Sequence, residues 1–120
     1  MTQTSNYKSY FELEDRCLKF AQRCQNYVRR LSRDLPNQEN GKQLTRSSGS
    51  VGANYIEANE SLSKKDFVMR IKISRKEAKE SRFWLRLAEP LLENQEEKEE
   101  LIQEALELTK IFGSILEKSK

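Results

Sequence analysis

The stretch Lys42–Leu62, KQLTRSSGSVGANYIEANESL, decides the fold of this chain, because its apolar and small residues recur with the spacing of one packed face of a helix. Small residues, among them Gly49 and Gly52, lie beside the repeating face and would let a neighbouring helix approach closer than the usual ~8 to 10 Å. Each glycine weakens a helix by roughly 1 kcal/mol relative to alanine, so we expect close helix contact to offset the loss. The repeating residues, spaced by fours and threes along one face, are Leu44, Ser48, Val51, Tyr55, Ala58 and Leu62.

Length and composition predict one all-α domain, residues 1–120. The chain has 34% charged residues, two prolines and four glycines, which favours helices over strands. No apolar run approaches the ~20 residues that cross a bilayer. The first ten residues, MTQTSNYKSY, have neither the basic start nor the apolar block of a secretion signal. We therefore expect a cytoplasmic protein without membrane contact.

Four amphipathic helices follow from the hydrophobic period. Capping boxes at Ser9–Glu12 and Ser63–Asp66 predict the starts of the first and third helices. Pro36 is expected to separate the first two helices, and Asn94 to cap the fourth. Because the connections are short, neighbouring helices should run antiparallel, as an up-down-up-down four-helix bundle. The predicted helices cover about 9–33, 38–61, 65–88 and 96–118.

The two cysteines and the missing histidines limit the chemistry of the chain. Cys17 and Cys24 lie one heptad apart on one helix face, a rise of roughly 10 Å that is too long for a disulfide. We expect both to be buried thiols. Without histidine, the usual zinc sites and histidine catalysis, including a ribonuclease with an Arg-x4-His motif, cannot be assembled. We predict no enzymatic activity, no metal and no cofactor.

Charge is divided unevenly along the chain. Residues 1–90 hold 18 Lys and Arg against 11 Asp and Glu, whereas residues 91–120 hold 4 against 8. The two regions should therefore face different partners, or each other.

Basic residues line one face of the third helix and a ridge of the first, and phosphate is their natural partner. The alternative is a solvated helix face, helped by Glu77 and Glu80 and by the acidic fourth helix. We predict RNA or DNA contacts at Arg16, Lys19, Arg23 and Arg30 of the first helix and at Lys72, Arg75, Lys79, Arg82 and Arg86 of the third.

The third helix has more apolar surface than one core contact requires. A second apolar face on a surface helix usually indicates a subunit contact. Its aromatic pair, flanked by Arg82 and Arg86, could also stack on a base, although core or subunit contact is commoner. We predict oligomer contacts at Met69, Ile73, Phe83, Trp84 and Leu87.

Polar residues on the second and third helices could form a network between them. A two-metal site in such a bundle needs Glu-x-x-His pairs, which this chain lacks. A network that fixes helix register is the better interpretation, because half-buried charges need partners. The predicted members are Arg46, Asn54, Glu57, Glu77 and Glu80.

The second and third helices resemble those of a known four-helix bundle family. Its members include proteins encoded by intervening sequences in bacterial 23S ribosomal RNA genes and the accessory variability protein of diversity-generating retroelements. The resemblance covers nearly the whole chain. Its most specific feature is a run of small residues leading into Asn54-x-x-Glu57, followed by Glu77. Its other residues are Gln43–Arg46, Ser50–Ala58, Phe67, Ile71, Ile73, Ser74, Ala78, Glu80, Ser81, Trp84 and Leu85.

The resemblance implies a ring or barrel of five subunits that binds nucleic acid without sequence choice. In the retroelement branch it also implies a reverse transcriptase as partner. An alternative is a structural or adaptor bundle that docks such a protein without touching nucleic acid.

Overall fold

The computed structural model describes residues 2–120, with side chains from Tyr10 onward, and this part of the chain is all-helical. It forms an antiparallel four-helix bundle of 49 × 25 × 19 Å, as predicted. Helix α2 packs between α1 and α3, and α4 packs against α3 and closes the bundle against α1. None of the described helices is long and apolar enough to cross a membrane. The helices are α1 (Thr2–Arg29), α2 (Leu35–Asn59), α3 (Lys64–Leu87) and α4 (Gln95–Lys118), with a 3-10 turn at Leu92–Asn94.

Helices α1 and α2 begin earlier and end earlier than the predicted 9–33 and 38–61, and three of the predicted boundary signals act differently from expectation. Helix α1 passes through the Ser9–Glu12 box, which is therefore not a cap. Pro36 lies in the first turn of α2, where its missing N–H leaves no helical bond unmade, and Asp34 caps that helix by accepting from the Asn37 N–H at 2.8 Å. Asn94 stands at the N-cap of α4 but its side chain makes no capping bond.

The cap of α3 is confirmed. The Ser63 hydroxyl accepts from the Asp66 N–H at 3.1 Å. Helix α2 ends at Asn59, and three residues, 60–62, separate it from this cap. Leu62 consequently lies outside α2 and is fully exposed, so its prediction as part of the packed stripe is wrong.

The core is built from buried side chains of all four helices. On α2 the stripe from Leu44 to Ala58 is buried, and Cys17 and Cys24 are free thiols buried on α1, as expected. An edge-to-face pair with ring centroids 5.7 Å apart joins Tyr55 of α2 to Phe112 of α4. These contacts fix the rotation of each helix, and hence the side chains that it presents to solvent.

Two glycines of α2 mark where α1 approaches closely. A Cβ added at Gly52 would lie 3.0 Å from the Cβ of Cys17, and one at Gly41 would lie 2.9 Å from Cγ1 of Val28. Gly49 has open space at that position instead. The predicted close contact is therefore correct for Gly52 and wrong for Gly49.

Candidate nucleic-acid interface

The basic row of α3, defined as Lys72, Arg75, Lys79, Arg82 and Arg86, projects from one side of that helix. All except Arg82 are exposed. Among the described side chains, no carboxylate oxygen lies within 4.0 Å of a charged nitrogen of the row. Nε of Arg82 is buried without a hydrogen-bond partner. The row is therefore a set of uncompensated positive charges.

The predicted ridge of α1 is different, because the chain supplies its own anions. The Arg16 guanidinium donates to both carboxylate oxygens of Glu104 at 2.7 and 2.8 Å. Arg23 donates to Glu97 at 3.2 Å and to Glu100 at 2.8 Å. The bonds to Glu104 and Glu97 are the main reason that the pKa values of the two guanidinium groups are raised.

The remaining α1 cations of the prediction also have partners. Lys19 forms an ion pair with Asp15 at 3.0 Å, and Nη1 of Arg30 donates to the Asn94 side chain at 3.3 Å. Exposed ion pairs contribute little stability, but they lower the charge available to a polyanion. The partner of Arg30 is a neutral amide, so its charge is not neutralised. Of the two predicted surfaces, only that on α3 has no member paired with a carboxylate among the described side chains.

An opening near the α1–α2 turn, which the sequence did not predict, is another candidate site. It encloses about 780 Å³ between the ends of the two helices. Its cations are mostly engaged: Lys42 pairs with Glu39 at 3.5 Å, and Arg29 donates to Asn26 at 2.7 Å. This region is therefore a weaker candidate than the α3 row.

The α3 row forms one wall of a groove of about 460 Å³ between α3 and α4. Its charged lining residues are Lys72, Arg75, Lys76, Lys79 and Glu80, and Phe83 and Leu116 supply its apolar surface. Nε of Arg75 would lie 3.5 Å from a Cβ at Gly113, so that guanidinium lies over α4. The volume is in the ~300 to 1,000 Å³ range of ligand sites. The α3/α4 groove thus combines free cations with an exposed aromatic ring.

Part of the predicted polar network is present. Arg46 of α2 donates to Glu77 at 3.2 Å and to Glu80 at 3.3 Å on α3. Glu77 is the buried member of this group, and Lys76 lies 3.9 Å from its second oxygen. The bond to Glu77 is also the main reason that the pKa of Arg46 is raised. The group ties α2 to α3 at one register.

Two predicted members of the network lie apart from this group. The Asn54 side chain accepts from Nη1 of Arg70 at 3.0 Å and donates to the Ser50 carbonyl at 2.9 Å. Glu57 is exposed, and its carboxylate makes no bond with the described side chains. Arg70 was missed, because a cation at the start of α3 gave no sign that it reaches Asn54.

Serine hydroxyls complete the contact between α2 and α3. Ser47 and Ser81 form a hydrogen bond at 2.8 Å between their hydroxyl oxygens. Ser74 donates to the Val51 carbonyl at 2.9 Å. All three serines are buried. Their small size permits close packing, and their bonds satisfy polar groups within the core.

The second apolar face of α3 is left uncovered by the bundle. Met69, Phe83 and Leu87 are 46%, 54% and 49% exposed, and Ile73 is half-buried. Trp84 is different, because it packs against the core of its own bundle. Its predicted oligomer contact is therefore limited to the part of the ring that stays exposed.

Fold and surface together define an antiparallel four-helix bundle whose third helix carries a basic face without carboxylate partners among the described side chains. The model of the 23S rRNA-intervening sequence protein family matches residues 11–114, so the chain belongs to that family. It is similar in structure to a protein of unknown function from the S23 ribosomal protein family of Bacteroides thetaiotaomicron VPI-5482. That crystal structure has a TM-score of 0.74 and 31% identity, and the match covers 90% of this chain and 97% of the other. No curated protein matches the chain.

Proposed function

We propose that this protein is a non-enzymatic, cytoplasmic bundle that binds nucleic acid through the basic row of α3. The observation that carries the proposal is the contrast between two helices of similar charge. Three of the four predicted α1 cations, Arg16, Lys19 and Arg23, form ion pairs with carboxylates, whereas the α3 row has no carboxylate partner among the described side chains. Contacts to phosphate position a protein on nucleic acid without reading its bases. Binding should therefore depend strongly on salt and little on sequence.

The exposed apolar residues Met69 and Leu87 of α3 support a second part of the proposal, that the bundle works as an oligomer. Met69 and Leu87 are too exposed to contribute to the core of one chain. A ring would repeat the basic row in each subunit and raise the avidity for a long polyanion. Five subunits, the number implied by the family resemblance, correspond to about 70 kDa, five times the chain mass of 14.1 kDa. Light scattering measures this mass directly, and a mass of one chain would contradict it.

The same exposed residues favour one alternative function, an adaptor that docks a protein such as a reverse transcriptase. In that case the α3 row would attract an acidic protein surface rather than phosphate. Capture of a partner from nuclease-treated lysate, with no retained nucleic acid, would favour the adaptor.

A salt titration of matched charge variants tests the nucleic-acid proposal. The test variant carries Lys72→Gln, Arg75→Gln, Lys79→Gln and Arg86→Gln. The control loses the same charge elsewhere, through substitution by Gln at Lys42, Lys110, Lys118 and Lys120. Each phosphate contact contributes about 0.7 to 0.9 to the magnitude of the slope of log affinity against log salt. The slope of the test variant should therefore be shallower than that of the native protein by about 3.

Two results would contradict this proposal. One is an affinity of the native protein that stays constant between about 50 and 200 mM salt. The other is a control variant that loses as much affinity as the test variant, which would indicate a general charge effect rather than a site on α3.

A further inference from the structure

Phe83 is an exposed aromatic residue within the part of α3 that carries the basic row. It lies one residue after Arg82 and three before Arg86, and it lines the α3/α4 groove together with Lys72 and Lys79. Its ring is 54% exposed. Burial in the core of its own chain therefore does not explain this residue.

A neighbouring ring holds Phe83 in place. The Trp84 ring meets it edge to face, with centroids 5.0 Å apart and planes at 76°. Trp84 in turn packs against the core. Aromatic pairs of this geometry contribute more stability than the burial of their apolar area alone would give. Phe83 is thus an exposed ring on a rigid support.

Glu80 is the one carboxylate among the residues that line the groove, and it is bonded to a cation of another helix. It accepts a hydrogen bond from Arg46 of α2 at 3.3 Å. The cations around Phe83 therefore remain free to meet phosphates. A site with free cations and a supported ring fits a ligand that carries both phosphates and accessible π faces.

We infer that Phe83 stacks on an unpaired base of a single-stranded nucleic acid whose phosphates lie along the α3 row. This inference rests on the proposed function and names its substrate class. In a duplex, each base face is already covered by its neighbours, so Phe83 gains a contact only on a single strand. The protein should accordingly bind single strands more tightly than duplexes of the same length.

The length of the row sets the size of the site. Lys72 and Arg86 are separated by fourteen residues of helix, or about 21 Å. A strand that keeps the ~3.4 Å spacing of stacked bases places about six phosphates along that distance. A twelve-nucleotide oligomer is therefore long enough to occupy the row on one subunit.

The experiment compares Phe83→Leu with Tyr10→Leu, which removes another exposed ring outside the row. Fluorescence anisotropy measures the binding of a labelled oligouridine 12-mer and of an RNA duplex of 12 base pairs to each full-length protein. Stacking on an aromatic ring contributes about 1 to 3 kcal/mol per base, so Phe83→Leu should weaken single-strand binding by about 5- to 150-fold. Duplex binding should stay unchanged, and Tyr10→Leu should bind both like the native protein. Phe83→Trp should restore single-strand binding.

Trp84, the single tryptophan, supplies a second readout. Because it touches the Phe83 ring, its fluorescence should change when the 12-mer binds and stay constant when the duplex binds. Light scattering of Phe83→Leu tests the competing role as a subunit contact.

The outcomes separate the inference from the proposed function. If the native protein binds neither ligand, both fail. If it binds both ligands and Phe83→Leu binds the 12-mer like the native protein, the inference fails and the proposed function stands. A lower mass of Phe83→Leu assigns the residue to a subunit contact and also overturns the inference.

Discussion

The two buried thiols should make the protein lose stability at alkaline pH. Burial raises the pKa of Cys17 and that of Cys24 from 9.0 to about 12. For Cys24, a hydrogen bond with Ser48 opposes the effect of burial without cancelling it. Both thiols therefore stay protonated in the folded chain at pH values where they ionise in the unfolded chain.

The size of the effect follows from this difference. Below pH 9 both states hold the protons and the stability is complete, whereas between pH 9 and about 12 only the folded state holds them, so stability falls as pH rises. Each pH unit in that window is equivalent to about 1.4 kcal/mol per thiol. From pH 8 to pH 10 the two thiols together should therefore remove about 3 kcal/mol.

Urea unfolding of the native protein and of a variant with Cys17→Ala and Cys24→Ala measures this contribution. Burial also raises the pKa values of Tyr27 and Tyr55, and this contribution is common to the two proteins because both keep these tyrosines. The variant should be less stable at pH 8 because of the small cavities, but its stability should fall less by pH 10. If both proteins lost the same stability between these pH values, the assignment of the effect to the thiols would be refuted.

Two further pairs of substitutions test the packing, each by urea unfolding at neutral pH. Gly49→Ala should raise the free energy of unfolding by about 0.5 to 1 kcal/mol, because its added Cβ meets open space, whereas Gly52→Ala should gain less or lose, because its Cβ lies 3.0 Å from the Cβ of Cys17. Equal gains would contradict this. Tyr27→Phe should leave stability unchanged or slightly higher, because its buried hydroxyl has no partner. Asn37→Ala should lower the free energy of unfolding by about 2 to 3 kcal/mol, because this buried amide bonds the backbone N–H and C=O of Glu89, both at 3.0 Å. Equal effects of Tyr27→Phe and Asn37→Ala would contradict this expectation.

The packed faces could be predicted from the sequence because burial repeats with the period of the helix. Leu44, Val51 and Tyr55 are buried as expected. Periodicity does not say where a helix stops, however, and Leu62 continues the pattern beyond the end of α2 at Asn59. The bounds are instead set by local hydrogen bonds at the caps.

The candidate site could be predicted only in part, because a charge row does not reveal its neighbours. The cations of α1 and α3 have similar spacing, but Arg16 bonds Glu104, which lies 88 positions further along the chain. The negative charge of residues 91–120 was the only sequence signal of that pairing, and it did not indicate which helix would receive it. For the same reason, the sequence did not predict the hydrogen bond from Arg70 to Asn54.

The register of α4 against its two neighbours explains why Arg16 and Arg23 of α1 meet carboxylates of α4 and the α3 row does not. Glu104 and Glu97 are seven residues apart and run antiparallel to Arg16 and Arg23, which are also seven apart, so both pairs meet. On the other flank of α4, the position of Arg75 over Gly113 sets an antiparallel register with α3. That register places uncharged residues of α4 opposite every cation of the α3 row, namely Leu116, Gly113, Thr109, Leu106 and Ile102. The free charge of α3 is therefore a consequence of which flank of α4 carries the glutamates, and a single carboxylate introduced on the α3 flank would be enough to compensate part of it.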